Sequence, residues 1–341
     1  MIISELKVAD LKANQQVAMQ LLVRRKTLAR SRNGKEYLNL RLGDRSGEIT
    51  AFLWDDVDVA EAQIKEGDCV EIKGHSQIFN GNLQLNLSLV KLWQGPVDPL
   101  KFLPHTDKHI PTMERDLRRL VMDLRDPWLR RLGEAFFVKD QAFARSFSLA
   151  PAAKAMHHAW LGGLLEHTLG VARLAVQVCP LYPQVDGDLV LAGALLHDIG
   201  KVEELVYERS LDYSTPGRLL GHVMIGARMV REKASNIKGF PGETLMLLEH
   251  LMLSHHGEYE YGSPKKPKTQ EAVLLNFIDD LDAKLVAIGT FMHAARELGS
   301  EWSDFHRLFG RPFYLGSKGK IEGTTEPDSS LAQNGEAPLL F

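Results

Sequence analysis

The fold is decided by the stretch Ala194-Leu195-Leu196-His197-Asp198-Ile199-Gly200-Lys201, in which an apolar run ends in an adjacent His-Asp pair and a lysine follows. An imidazole and a carboxylate that emerge together from a buried segment can bind one divalent ion from two directions. Eight of the thirteen histidines lie between His157 and His256, and the carboxylates Asp279 and Asp282 follow them. The pattern predicts a metal centre in the middle of the chain.

The bulk composition is that of an ordinary globular protein of about two domains: 341 residues, 44% apolar and 25% charged. No apolar run approaches the roughly 20 residues that span a bilayer, so we expect no membrane partner. The N-terminus lacks a basic segment followed by an apolar core. Two cysteines, Cys69 and Cys179, are too few for a disulfide framework or a thiolate zinc site. We therefore expect a reducing, cytoplasmic location.

Five short β-rich segments with turns between them occupy the first 95 residues, and a short helix is predicted over residues 57–65. The predicted strands cover residues 17–23, 37–42, 48–54, 68–74 and 83–87. Five strands with a helix between the third and fourth is the order of an OB-fold barrel. Residues 37–49 resemble the second and third strands of the nucleic-acid-binding type of this fold. That resemblance implies a single-stranded nucleic acid, RNA or DNA, as the partner.

Candidate nucleic-acid contacts are aromatic residues, which stack on bases, and cations, which follow the phosphates. They are Tyr37, Phe52, Trp54, Phe79, Arg24, Arg25 and Lys35. An aromatic side chain could instead fill the barrel core. Residues 12–35 contain seven basic and no acidic residues, although a charged strand edge would explain that run equally well.

A connector rich in proline and glycine begins near Gly95, and helical periodicity starts at Pro111. We therefore predict a multidomain chain, with an all-β OB-fold barrel followed by an all-α helical bundle. The predicted parts are the barrel (residues 1–95), a linker (96–110), the helical domain (111–312) and a disordered tail poor in large apolar residues (313–341).

Histidines and aspartates recur where apolar and polar segments meet on separate predicted helices. The candidates are His167, His197, Asp198, His222, His255, His256 and Asp279. A lone histidine such as His167 is more often a core residue with a hydrogen-bond partner, but buried imidazoles and carboxylates all need partners. One shared metal centre would satisfy the whole set. Nitrogen and oxygen donors favour Mn²⁺, Fe²⁺, Co²⁺ or Zn²⁺.

The order His167, His197-Asp198, Asp279 resembles the H…HD…D pattern of the HD-domain metal-dependent phosphohydrolases, and the additional histidines resemble their dinuclear branch. The resemblance implies two ions per chain, Mn²⁺ foremost, with Asp198 as the bridge. One ion would be bound by His167, His197, Asp198 and Asp279, and the other by Asp198, His222, His255 and His256. It also implies that Lys201 contacts a substrate phosphate. A trinuclear subset carries glutamate where this chain has Gly163, so the resemblance does not extend to a third ion.

An OB domain joined to an HD domain resembles the YhaM-type 3′→5′ exoribonucleases, as do residues 257–269 and 279–284. This resemblance implies a catalytic site that removes nucleoside 5′-monophosphates from a single strand. A phosphohydrolase of nucleotides or cyclic dinucleotides is an alternative, but a small substrate needs no strand-binding barrel. A non-catalytic strand-binding protein would not need the complete ligand set. The sequence leaves open whether the protein forms a homo-oligomer.

Other polar residues lie close to the predicted ligands in the sequence. His157 and His158 precede the first ligand helix, and they could contact substrate, as could Asp282, or serve helix packing. Lys265 and Lys266 lie in a basic loop between prolines. This loop is expected to hold the nucleic-acid backbone, although an exposed charged loop without a ligand is the simpler alternative.

Overall fold

The N-terminal part of the chain is a closed five-stranded barrel in the computed structural model, which describes residues 6–155, 157–208, 211–296 and 299–316. The strands are β1 (Gln16–Arg30), β2 (Glu36–Asp44), β3 (Gly47–Leu53), β4 (Cys69–Phe79) and β5 (Asn82–Leu92), with helix α1 (Val57–Gln63) between β3 and β4. The barrel order is β1-β2-β3-β5-β4, with β4 also paired to β1. The β3–β5 pair is parallel, and the other pairs are antiparallel. The predicted OB-fold architecture is confirmed.

Strand β1 continues well beyond Val23, where the sequence pattern predicts its end. A β-bulge interrupts the β1–β2 register between Val23 and Arg25, and the remaining residues pair only with β2, as far as Arg30 opposite Glu36. This extension lies outside the barrel core, so its side chains do not alternate between apolar and polar residues. Apolar periodicity therefore could not indicate it.

The barrel interior is filled by alternate residues of the strands, as the two-residue period of a β-strand requires. Leu38, Leu40 and Leu42 of β2 are buried in the core, together with Ala51 and Leu53 of β3. The intervening residues of both strands therefore point out of the barrel.

The rest of the described chain is mainly helical, as predicted, and includes one short hairpin. The helices are α2 (Ile110–Asp123), α3 (Pro127–Phe137), α4 (Gln141–Leu149), α5 (Gly163–Val178), α6 (Gly187–Leu196), α7 (Lys201–Glu204), α8 (Thr215–Ser235), α9 (Gly242–Ser254) and α10 (Gln270–Arg296). The hairpin pairs β6 (Leu205–Val206) with β7 (Asp212–Tyr213), and its two-residue strands are too short for a periodic pattern. Helix α6 is central, because every residue from Leu189 to Leu196 is buried.

Barrel and helical domain meet through a small apolar cluster. Leu22 of β1 and Cys69 of β4 pack with Phe102 and Leu103 of the connector and with Leu161, two residues before α5. Backbone hydrogen bonds join the connector to the same segment, from Leu161 N to Pro104 O and from Thr106 N to Leu161 O. The connector is therefore a packed part of the fold.

The chain separates into two compact units, Met1–Val286 and Ala287–Phe341, and the division falls within the helical domain expected over residues 111–312. In the second unit, Trp302 pairs with Tyr314 and His306 with Arg311 through isolated β-bridges. Residues 317–341 of the predicted disordered tail lie outside the described residues. Among the residues that are described, no helix is both long and apolar enough to cross a membrane.

Gly163, the first residue of α5, permits a close approach between that helix and the preceding loop. A Cβ atom at this position would lie 2.1 Å from the carbonyl oxygen of His158. The same oxygen accepts hydrogen bonds from the backbone N–H groups of Ala152 and Trp160, so it is not free to move. The position of Gly163 therefore has no room for a side chain.

We expect Gly163→Ala to lower the free energy of unfolding by about 1–3 kcal/mol or more, because the added methyl group overlaps backbone atoms. Gly242→Ala is the matched control. Gly242 is also the first residue of a helix, α9, and nothing lies within 4 Å of an added Cβ. Denaturant unfolding of both variants tests this expectation, and equal stabilities would contradict the close packing at Gly163.

Candidate metal centre

His197 and Asp198 follow the C-terminal end of α6 and are buried in the centre of the bundle. The helix is capped at its start by the Asp186 side chain, which accepts hydrogen bonds from two backbone N–H groups. His197 takes the C-cap position, and its Nδ1–H donates to the carbonyl oxygen of Ala194 at 3.0 Å. A helix whose last eight residues are all buried therefore places two polar side chains in a buried site.

The first donor set consists of His167, His197, Asp198 and Asp279. His167 Nε2 lies 3.2 Å from His197 Nε2 and 3.1 Å from Asp279 Oδ1. Asp198 Oδ2 lies 3.5 Å from His167 Nε2 and 3.4 Å from His197 Nε2. Ligands held about 2.1 Å from one ion are separated from their neighbours by roughly 3.0–3.4 Å. His167 Nε2, His197 Nε2 and Asp279 Oδ1 thus lie close to the spacing of one coordination shell, and Asp198 Oδ2 lies within 3.5 Å of both imidazoles.

The second donor set surrounds Oδ1, the other carboxylate oxygen of Asp198. Asp198 Oδ1 is 3.4 Å from His222 Nε2 and 3.7 Å from His255 Nε2. His222, His255 and His256 offer ring nitrogens that all lie within 4.8 Å of one another. Asp198 therefore faces two clusters at once, which is the arrangement of a bridging ligand.

Three atoms of the second set lack hydrogen-bond partners among the described residues. They are Asp198 Oδ1, His222 Nε2 and His255 Nε2, and all three are buried. Leaving a buried polar atom unsatisfied costs about 1–3 kcal/mol. A divalent cation between these atoms would satisfy all of them, so the donor set fits a metal ion.

The opposite ring nitrogen of each candidate histidine is hydrogen-bonded to an oxygen. His255 Nδ1 donates to Met252 O at 2.6 Å, and His256 Nδ1 donates to Tyr261 O at 2.9 Å. His167 Nδ1 lies 2.7 Å from an oxygen of Asp282. With Nδ1 held in this way, each ring directs Nε2 towards the donor sets, which is the orientation of a metal-ligating imidazole.

Glu204 is a site residue that sequence reasoning missed. Its Oε1 accepts hydrogen bonds from the backbone N–H of His222 at 2.9 Å and from His222 Nδ1 at 3.0 Å. It lies three residues after Lys201 on α7, so the two side chains are neighbours on that helix. That spacing could have indicated it.

Lys201 and Asp282 each contact a residue of the first donor set, Lys201 contacting Asp198 and Asp282 contacting His167. The Lys201 ammonium is buried and donates to Asp198 Oδ2 at 2.6 Å. Asp282 lies behind His167, where its Oδ2 also accepts from His158 Nε2 at 3.2 Å. Asp282 thus orients a candidate ligand, and Lys201 adds positive charge beside the bridging carboxylate.

The carboxylates shift the titration of the first donor set. Burial of His197 opposes its protonation, but Asp198 and Asp279 outweigh that effect and raise the pKa of His197 to about 10. Burial likewise opposes protonation of His167, whose pKa is nevertheless raised by Asp279 and Asp282. Burial lowers the pKa of His255 well below its usual range, and lowers that of His256. His167 and His197 of the first donor set therefore hold a proton more strongly than His255 and His256 of the second.

The predicted aromatic contacts form a group on the outer face of the barrel. Tyr37 stacks on Trp54 with ring centroids 4.5 Å apart, and Phe52 lies 5.9 Å from Tyr37. All three are partly exposed and lie outside the core cluster. Phe79 is exposed at the end of β4. The alternative that Phe52 or Trp54 fills the core does not hold in this structure.

Three of the five predicted cationic contacts, Arg24, Lys35 and Lys266, lie within 4.0 Å of a carboxylate oxygen. Lys35 binds Asp55 at 2.9 Å, and Lys266 forms an ion pair with Glu258. Arg24 Nη2 donates to the carbonyl oxygen of Phe102 in the connector at 2.8 Å. Arg25 and Lys265 are exposed. His157 is partly buried, with its ring 5.6 Å from that of His167.

Two regions of the chain match known families. Residues 164–284 match the HD domain, and residues 20–92 match the OB-fold nucleic acid binding domain. The first region contains every candidate metal ligand, and the second contains nearly the whole barrel. The chain is thus an OB-fold barrel followed by a helical domain that matches HD. The HD match implies a metal-dependent phosphohydrolase, and with the OB domain it suggests a hydrolase that acts on nucleic acid.

Several solved structures are similar to parts of the chain. The second OB-fold domain of replication protein A from Methanococcus maripaludis shares 20% identity, with 27% of this chain and 98% of that chain covered and a TM-score of 0.23. The mitochondrial single-stranded DNA binding protein Rim1 from S. cerevisiae shares 14% identity, with coverages of 24% and 95% and a TM-score of 0.21.

We expect divalent-metal binding to release protons and to tighten as the pH rises. His197 and His167 must lose their Nε2 protons to bind an ion, and their pKa values are raised. Affinity for the first site should therefore rise between pH 6.5 and 8.5, by about tenfold per pH unit for each proton released. Calorimetry in two buffers of different ionisation enthalpy measures the proton release. An affinity that does not change with pH would show that these imidazoles are neutral before the metal binds.

Proposed function

We propose that this protein is a 3′→5′ exonuclease that hydrolyses single-stranded RNA, with single-stranded DNA as a second substrate, to nucleoside 5′-monophosphates at a dinuclear metal centre. The observation that carries the proposal is the buried Asp198 carboxylate, whose two oxygens face two separate sets of donors. The 3′→5′ polarity and the RNA preference rest on the resemblance to YhaM-type exoribonucleases.

The chain's own residues would hold and orient the reacting groups. His167, His197 and Asp279 would hold one ion, and His222, His255 and His256 the other, with Asp198 shared between them. Two divalent ions held there would supply charge stabilisation and an activated water for phosphodiester hydrolysis. Mn²⁺ is the proposed metal, with Fe²⁺, Co²⁺ or Zn²⁺ as alternatives.

Lys201 would hold the phosphate that is cleaved. Its ammonium is buried beside Asp198, so its charge interacts with little screening by water. A phosphodiester at the centre would need such a fixed cation to balance the negative charge that develops on its oxygens. We propose this role for Lys201 in addition to its ion pair with Asp198.

The barrel would hold the strand through base stacking. Tyr37, Phe52 and Trp54 present aromatic surface on its outer face. Such stacking tolerates any base, since every base has an aromatic face, and it suits an enzyme that degrades strands without sequence preference. A substrate as small as a cyclic dinucleotide would make no use of this surface.

We expect Asp198→Ala to reduce RNA cleavage by at least about 100-fold, because both donor sets lose a shared ligand. A 5′-labelled single-stranded RNA incubated with Mn²⁺ should give a ladder that shortens from the 3′ end with the unaltered protein. Asp280→Ala is the matched control, since Asp280 adjoins Asp279 but is exposed on α10, where it forms an ion pair with Lys284.

Near-normal cleavage by the Asp198 variant would contradict the dinuclear assignment. An RNA strand that the unaltered protein shifts on a gel but leaves intact would identify a binding protein instead. Hydrolysis of cyclic dinucleotides without cleavage of RNA would favour a small-molecule phosphohydrolase.

We expect Trp54→Ala to weaken binding of single-stranded RNA by about 5- to 100-fold, the loss of one base–aromatic stack of 1–3 kcal/mol. Tyr182→Ala serves as the control, because Tyr182 is an exposed aromatic residue of the helical domain. Fluorescence anisotropy with a labelled oligonucleotide, with Ca²⁺ in place of Mn²⁺, measures affinity without cleavage. If both variants bound the RNA with equal affinity, the aromatic face would not be part of the strand-binding surface.

A further inference from the structure

His158 is a buried imidazole whose position is fixed by its surroundings. Only 2% of the residue is exposed, and its backbone has φ = 49°, a conformation that residues with a Cβ rarely adopt. Its carbonyl oxygen accepts two backbone hydrogen bonds, and Gly163 packs against it. A residue held this firmly and sealed from solvent is poorly suited to contact a strand, but it is well suited to hold a neighbouring group.

The group that His158 contacts is the carboxylate behind the first candidate ligand. His158 Nε2 lies 3.2 Å from Asp282 Oδ2, and the same oxygen lies 2.7 Å from His167 Nδ1. Since a carboxylate oxygen only accepts, both ring nitrogens donate to it. His167 Nε2 then faces His197, Asp198 and Asp279. A chain of hydrogen bonds thus leads from His158 to the first donor set.

The other side of His158 faces a second partly buried carboxylate, that of Glu166. Glu166 Oε2 lies 4.0 Å from His158 Nδ1, which has no hydrogen-bond partner among the described residues. The same oxygen accepts from Thr106 Oγ1 at 2.7 Å and from Trp160 Nε1 at 3.0 Å. Thr106 belongs to the connector that follows the barrel, so Glu166 joins that connector to the segment containing His158.

We propose that His158 is a positioning residue for the first metal site, which it organises by holding Asp282 against His167. The proposal rests on the dinuclear centre of the proposed function and deepens it, since it assigns a role to a histidine that makes no direct contact with the first set of ligand atoms. Outer partners of this kind fix the orientation and the tautomer of a ligating imidazole, and their loss typically lowers metal affinity 10- to 100-fold. Asp282 lies between His158 and His167, so the effect should pass through it.

The test measures Mn²⁺ binding to the full-length chain. Calorimetry gives the affinities, and electron paramagnetic resonance detects the coupling between two neighbouring Mn²⁺ ions. We expect the unaltered protein to bind two ions. His158→Ala should weaken one of them about 10- to 100-fold, leave the other in place and abolish the coupled signal at limiting Mn²⁺. His158→Gln should restore much of the affinity, because its amide N–H can reach Asp282. His109→Ala, at an exposed histidine before α2, is the control for loss of an imidazole.

The outcomes separate this proposal from the one on which it rests. Fewer than two Mn²⁺ ions on the unaltered protein would overturn the dinuclear centre. Two ions on the unaltered protein, and the same two affinities and coupled signal in His158→Ala, would overturn the role of His158 alone. Equal loss of both ions in His158→Ala and in the glutamine variant would also overturn it, because that pattern follows from a folding defect, which circular dichroism of the metal-free variants would reveal.

Discussion

One buried carboxylate determines how the helical domain is built. Asp198 is inaccessible to solvent and must be balanced by groups from the surrounding helices, because an uncompensated charge in the interior is strongly unfavourable. Lys201 supplies a cation, and the imidazoles of His167, His197 and His222 approach its two oxygens. The bundle is therefore arranged around a charge as well as around its apolar core. A divalent ion on each side would complete the compensation.

The elements that carry the donors are brought together by direct backbone contact. At Gly200, between the His-Asp pair and α7, a Cβ would lie 2.1 Å from the carbonyl oxygen of His222. At Gly163 the same restriction applies to the loop before α5. These close backbone approaches fix the positions of the neighbouring segments that carry the donors. They therefore limit the distance between the two donor sets.

The barrel and the ligand positions were predictable because each has a local signature. Alternating strands with Asn-Gly turns indicate the barrel, and histidines at the ends of apolar helices indicate the site. The roles of Asp282, His158 and Glu204 were not predictable with the same certainty, since each depends on contacts between residues far apart in sequence. The pairing of Lys35 with Asp55 likewise could not be inferred from a run of cations considered alone. The seven donors converge on one centre, but their action as metal ligands stays a prediction.

The ion pairs on the barrel have a consequence for how a strand would be held. Lys26, Arg30 and Lys35 are each bound to a carboxylate, from Glu61, Glu36 and Asp55 respectively. A cation that already has an anionic partner displaces few of the counterions condensed on a phosphate backbone, and the release of those ions is what makes nucleic-acid affinity fall steeply with ionic strength. Association with this barrel would therefore depend less steeply on salt than its number of cations suggests. The aromatic face, whose attraction for bases does not rely on charge, would contribute correspondingly more of the binding energy.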